Sequence, residues 1–277
     1  MTQGRTGTGR ASLQFQTGCP VAGAATVTLC RPHRRNAMTP AMWRELAAFG
    51  RSVPAEVRVV VVRGQGPSFS AGIDLEVLAG RGTEDDTGGN PMPPVDDPGL
   101  EDWIAGLQEG FRWLRDSSIV SVAAVQGHAI GAGFQLALGC DLRILADDAR
   151  LCMKEPTLGL VPDLLGTKPL VDIVGLPRAL EICLTGRQVT AAEARELRLA
   201  ELVVPAAELD AAVTDLVSAL LAAEPAASQA TKELLRQAAG NTLTQQAAAE
   251  RRAQAALLRS RSRPRLPPSG ASAGPGQ

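Results

Sequence analysis

The chain has no tyrosine and only two histidines in 277 residues, and that scarcity removes several kinds of catalysis. No tyrosine hydroxyl can serve as an acid. Neither His33 nor His128 follows a nucleophile motif, which argues against a hydrolase built on serine, histidine and aspartate. The five cysteines, Cys19, Cys30, Cys140, Cys152 and Cys183, are odd in number and lack paired spacing, so neither a disulfide framework nor a metal site is expected. They read as small core residues in a reducing compartment. Charge is balanced, with 28 basic and 29 acidic residues and a net of −1. That excludes a general attraction for nucleic acid or an anionic membrane and leaves only local anion binding. Residues 1–10 are polar and lack the apolar segment of a secretory signal. The most apolar stretch, 119–145, is interrupted by Gln126, His128, Gln135, Asp141 and Arg143, so no membrane span is expected and a cytoplasmic protein is.

What is present is enough apolar material for a substantial core, 45% of the residues. Residues 12–16 and 25–29 suggest an opening strand pair, and a helix is expected over 39–49 with Thr39 at its N-terminus. Apolar runs at 57–62 and 119–125 read as buried strands, with another at 142–145. Each of the first two leads into a glycine turn: Phe69-Ser-Ala-Gly-Ile-Asp-Leu75 and Gly127-His-Ala-Ile-Gly-Ala-Gly133. Gly72 allows a tight turn that leaves the Ile73 N–H unpaired. Gly131 and Gly133 open a helix, which puts the Ala132 N–H at a helix N-terminus. There free amides and the helix dipole favour developing negative charge. Two such donors aimed at one point make an oxyanion hole.

Around the second turn, Ala123-Ala-Val-Gln-Gly-His-Ala-Ile-Gly-Ala-Gly-Phe-Gln-Leu-Ala-Leu-Gly-Cys-Asp-Leu-Arg143 resembles the signature of the crotonase superfamily of enoyl-CoA hydratases and isomerases. Three further segments agree in order: the Arg-rich loop from Leu29 to Met38, the turn from Phe69 to Leu75, and Lys154-Glu-Pro-Thr-Leu-Gly-Leu-Val-Pro-Asp163. The resemblance implies an α/β fold, a spiral of stacked ββα repeats with a C-terminal helical trimerisation region. On that reading 1–11 is a disordered segment, 12–200 the spiral core, 201–259 the helical region and 260–277 a disordered tail. Helices are expected at 178–185, 191–199, 208–223, 226–239 and 243–259. The Gly-, Pro- and acid-rich stretch 79–101 reads as a flexible loop, either lining the acyl pocket or merely exposed. Trp103, Leu107, Phe111 and Leu114 fall at helical spacing and read as core.

The resemblance also implies chemistry. Ile73 and Ala132 would hold a thioester carbonyl oxygen, with Ala71, Gly72, Asp74 and Gly131 around the bound CoA thioester. Arg31 and Arg34 are candidates for its phosphates, although Glu76 stands where relatives often carry a basic residue. Hydratases of the family place one glutamate in the helix after the second turn and another twenty residues later; here Gln135 and Glu155 occupy those positions. An amide neither takes nor gives a proton near neutrality, so hydration is expected to be weak. Glu155 alone can move a proton between carbons. Asp163 lies at the offset of a second acid in the dienoyl-CoA isomerases, or caps a helix. Gln135 either contacts the acyl chain or packs. The expectation is an acyl-CoA double-bond isomerase, acting on 3-enoyl- or dienoyl-CoA through a thioester enolate. CoA enters as substrate with no separate cofactor, and the protein is a homotrimer or dimer of trimers. The alternatives are an enoyl-CoA hydratase or other lyase on a CoA or carrier-protein thioester, and a non-catalytic acyl-CoA-binding protein.

Overall fold

A computed structural model of the chain describes residues 12–81, 93–94 and 96–261. The expected tails at 1–11 and 262–277 and most of the 79–101 loop lie outside the described residues. Ser260 and Arg261, assigned to the tail from sequence, instead close the last helix.

The main sheet is built from β1 (Leu13–Thr17), β2 (Ala24–Leu29), β3 (Val59–Gly64), β4 (Val120–Val125), β6 (Leu142–Ala146) and β9 (Leu202–Val204), in the order β1-β2-β3-β4-β6-β9. Only the β1–β2 pair is antiparallel. A smaller sheet has the order β5-β7-β8, formed by β5 (His128–Ile130), β7 (Arg150–Cys152) and β8 (Val189–Thr190). Single bridges between Ser70 and Ala129 and between Ile73 and Met38 extend this second layer. Each repeat thus gives one strand to the main sheet, one short extended piece to the second layer, and then a helix. Helix α1 (Pro40–Arg51) follows β2, α2 (Leu75–Leu78) and α3 (Leu100–Arg112) follow β3, α4 (Ala132–Gly139) follows β5, and α5 (Thr167–Thr185) follows β7. Parallel pairing results because every repeat returns to the sheet in the same direction.

The local reasons are legible in the residues. Thr39 caps α1 by accepting from the Met42 N–H, with Pro40 at the first helical position. The valines of β3 are buried on both faces. Val60 and Val62 join the larger core with Leu29, Leu107, Phe111 and Leu114, while Val59 and Val61 meet Leu209, Val213 and Val217 of α7 (Leu209–Ala222). Burying one such side chain contributes about 1.5–3 kcal/mol. All five cysteines are free, and burial pushes the Cys140 thiol up to about 12, so it behaves as an inert core residue.

The chain divides into two compact units between Ala222 and Ala223, not at 200. Strand β9 pairs with β6 at the sheet edge and α7 covers the sheet's second apolar face, so both belong to the first unit. Helix α6 (Ala191–Glu196) precedes β9. The second unit contains α8 (Pro225–Ala238) and α9 (Leu243–Arg261), tied by a Gln246 side chain that donates to the Leu234 carbonyl at 3.1 Å. Helix α5 joins two helical stretches across Gly175, whose φ of 73° and ψ of 159° are not helical; the second stretch contains the expected 178–185, and the first, from Thr167, was not expected. Among the described residues no helix is long and apolar enough to cross a membrane.

Candidate functional site

A cavity of about 500 Å³ opens in the first unit, where the two glycine turns, the start of α4 and the segment after β7 converge. Its walls include Ala71, Gly72, Ile73, Gly131, Ala132 and Glu155. The Ile73 and Ala132 N–H groups, both on the cavity, donate to no other group among the described residues. For Ile73 the cause is the bridge to Met38, which uses the Gly72 carbonyl and the Asp74 N–H and turns the N–H between them away. For Ala132 it is the helix start, whose first N–H groups have no intrahelical acceptor.

Two glycines make the convergence possible. Gly72 has φ +92°, and a methyl added there would lie 2.6 Å from the Ile130 carbonyl oxygen and 3.6 Å from the Ala132 nitrogen. Gly131 has φ +51°, and a methyl there would come within 3.0 Å of Glu155 Oε1. The first glycine lets the turns touch; the second lets the carboxyl approach the helix start.

Glu155 begins a 3-10 turn, Glu155–Leu158, and is 9% exposed. Its Oε1 accepts from Gln135 Nε2 at 2.7 Å, whereas Oε2 is buried with no hydrogen-bond partner. Burial pushes the carboxyl above its usual range, opposed by hydrogen bonds from its own backbone and from Gln135, with a further upward push from nearby Asp163. Burial also raises the Asp163 carboxyl. Asp163 is not a helix cap: α5 starts after Gly166 and has no side-chain cap. Its carbonyl instead accepts from Gln108 Nε2 of α3 at 2.6 Å.

Several expected binding residues have other partners. Arg31 is 3% exposed; its guanidinium donates to Asp74 at 2.9 Å and to the Ala37 carbonyl at 2.6 Å. Arg31 is therefore a buried strut and not a phosphate contact. Asp74 lines the cavity but is likewise committed, to Arg31 and to the Glu76 N–H that it caps. Gln135 is fully buried, does not line the cavity, and so has no reach to an acyl chain there. Arg34 is exposed on the wall, joined by Lys154, which sequence reasoning missed although it adjoins Glu155. Leu158 and Leu160 were missed too; they are 50% and 44% exposed on the wall. Glu76 pairs with Arg81 at 2.5 Å, which holds its carboxyl below the usual range. His33 is exposed in the turn Pro32–Arg34, and His128 Nδ1 lies 3.3 Å from Ser68 Oγ, away from the cavity wall. Among the described residues no group of three His, Cys, Asp or Glu side chains is placed to hold a metal.

A profile of the enoyl-CoA hydratase/isomerase family matches residues 21–265. A candidate enoyl-CoA hydratase of Thermobifida fusca YX, solved with CoA and with acetoacetyl-CoA, is 57% identical; the CoA complex superposes with a TM-score of 0.86 over 91% of this chain and 95% of its own. The human mitochondrial Δ(3,5)-Δ(2,4)-dienoyl-CoA isomerase is 35% identical over 74% of this chain, which spans 63% of that protein's length. The 2,3-dehydroadipyl-CoA hydratase of Escherichia coli is 32% identical over 76% of this chain and 77% of its own. On the family match across nearly the whole chain, and on a fold that pairs two free N–H groups with a buried glutamate, this chain belongs to the enoyl-CoA hydratase/isomerase family.

Proposed function

We propose that the protein is an acyl-CoA double-bond isomerase. One observation carries the reading: a buried carboxyl with one oxygen left unpartnered, Glu155, stands on the cavity beside two unpaired N–H groups, and the group bonded to its other oxygen is the amide of Gln135. A thioester carbonyl oxygen held by the Ile73 and Ala132 N–H groups gains stabilisation as it becomes an enolate oxygen, each well-placed donor contributing about 3–4 kcal/mol. The Glu155 carboxylate takes the proton from C2 of a 3-enoyl thioester. The electron pair moves into a new C2–C3 double bond as the C3–C4 bond opens, and the same carboxyl returns the proton at C4. With a 3,5-dienoyl chain the pair runs on to C6, where the proton donor we assign is Asp163, within electrostatic reach of Glu155 although it is not among the residues lining the cavity; Glu155 and Asp163 then re-equilibrate through water. Only protons move, so the acyl-CoA enters as substrate and this step calls for no separate cofactor.

CoA and acetoacetyl-CoA bound to the Thermobifida fusca relative, and the dienoyl substrate of the human one, support an acyl-CoA substrate. Arg34 and Lys154 on the wall are the cations we assign to its phosphates. The second reading, a hydratase or other lyase on a CoA or carrier-protein thioester, is favoured by the two relatives named for hydration. Against it, Gln135 cannot exchange a proton with the attacking water. For assembly we propose a homotrimer or dimer of trimers, to which the exposed Leu176, Leu180 and Leu184 along α5 lend an apolar face; light scattering tests it. For activity, the purified protein is mixed with 3-enoyl-, 2-enoyl- and 3,5-dienoyl-CoA and the products followed by mass and ultraviolet absorbance. Rearrangement without mass change is expected. Gain of the mass of water as the main product makes it a hydratase, and binding without conversion of any of the three makes it a binding protein.

A further inference from the structure

Gln135 is reached by neither solvent nor the cavity, yet both ends of its amide are engaged. Nε2 donates to Glu155 Oε1 at 2.7 Å, while Oε1 accepts from the backbone N–H groups of Leu164 at 2.8 Å and Gly166 at 3.3 Å. The turn so held contains Leu165 at φ +65°, a left-handed conformation that a branched side chain adopts only when its surroundings impose it. A methyl at Gly166 would come 2.6 Å from Gln135 Cγ, so the turn sits flush on this side chain. Asp163 immediately precedes the turn. One amide therefore bridges the two segments that carry the site's carboxyls. A neutral amide suits this place because it offers a donor to a carboxylate and an acceptor to N–H groups at once.

We propose that Gln135 is a positioning residue that fixes the Glu155 carboxylate in one orientation, keeps it ionised despite its burial, and couples it to the turn beside Asp163. Within electrostatic reach of Glu155 are Cys152 of β7, Asp163, and Cys183 of α5, and Lys154 adjoins it in sequence. Asp163 disfavours the charge, and burial pushes both thiols up, so they stay neutral. Among the described residues Gln135 is the one side chain that donates a hydrogen bond to the carboxylate. Without it, desolvation acts with less opposition.

The consequence for turnover rests on reading Glu155 as the base, but the test of Gln135 does not. Infrared difference titration follows the Glu155 carboxyl, its band assigned by loss in Glu155→Gln. In Gln135→Met the midpoint is expected to rise by about one to two pH units, the worth of one hydrogen bond to a charged group. The acid limb of kcat/KM moves with it, and the Leu164 and Gly166 amides exchange hydrogen about tenfold faster or more. An unmoved Glu155 midpoint in folded Gln135→Met overturns the proposal. A moved midpoint with an unmoved rate profile upholds it and refutes Glu155 as the base. If Gln135→Met does not fold, Gln135→Glu keeps the length and the acceptor for the turn. There the two carboxyls are expected to titrate as a coupled pair, one step below and one above the wild-type midpoint; a Glu155 step left in place overturns the proposal.

Discussion

Replacing Glu155 by glutamine removes the proposed base with little disturbance of its surroundings. The new amide oxygen takes the place of Oε1 and still accepts from Gln135 Nε2. The amide nitrogen falls where Oε2 had no partner, so the site remains occupied in the same shape. General base catalysis is worth about 10²- to 10⁴-fold, or ~3–5 kcal/mol of barrier, and turnover is expected to fall by at least ~10²-fold while acyl-CoA affinity is kept. A second signature is thermodynamic. The folded-state carboxyl titrates above its ordinary value of 4.5, so the folded protein holds this proton where the unfolded chain has released it. Stability is therefore lost as pH rises from the ordinary carboxylate range through the raised folded value. In Glu155→Gln that part of the dependence is absent, so the melting temperature of the variant relative to wild type increases with pH across this window. Steady-state rates under conditions where chemistry limits, calorimetric binding of acyl-CoA, and thermal melts between pH 4 and 8 make the assay. Retention of half of wild-type turnover refutes Glu155 as the base, and a pH-independent difference in melting temperature refutes its desolvation.

Three further outcomes follow from the geometry. In Gly72→Ala the methyl meets the Ile130 carbonyl oxygen at 2.6 Å at a φ of +92°, which strains the turn by about 1–3 kcal/mol and misaims the Ile73 N–H, lowering kcat by about 10²- to 10³-fold; wild-type kcat in a folded variant removes Ile73 from the oxyanion site. Asp74→Ala leaves Arg31 buried without its carboxylate partner and is expected to cost about 3–5 kcal/mol in urea denaturation, whereas a loss under 1 kcal/mol shows that the pair bears little of the fold. Asp163→Asn is expected to slow 3,5-dienoyl conversion by about 10²-fold and 3-enoyl conversion far less; equal rates of variant and wild type on both substrates leave the Asp163 carboxyl with no part in proton transfer.

Much of the site was readable because its signals are local. A valine run followed by a glycine at a tight turn, or an apolar strand running into Gly-Ala-Gly before an apolar helix, specifies both backbone shape and where an N–H is left without an acceptor. Helix α1 likewise follows from Thr39, Pro40 and the apolar face behind them. The helices from 191 onward are legible in their periodicity, but the division at 200 was not: that β9 completes the main sheet beside β6 depends on a strand nearly sixty residues earlier. Gly175 and Pro177 signalled a true break, which is why the stretch expected at 178–185 is there as a helix of its own, while the helical stretch from Thr167 up to Gly175 was missed.

The sequence by itself determined the strand-turn-helix repeats, the two outward N–H donors, and the choice of an amide at 135 with a carboxyl at 155, because these depend on residue type and short spacing. Tertiary structure alone decided what each polar side chain faces. Arg31 reads as a cation in a polar loop, but the fold brings Asp74, 43 positions away, against it and closes both off from water. Gln135 reads either as a contact of the acyl chain or as packing, and the crossing of α4 with the turn before α5 takes up both ends of its amide. A side chain's partner is set by which distant backbone arrives beside it, and burial then makes that pairing obligatory, since an unmet polar group costs far more inside the protein than in water.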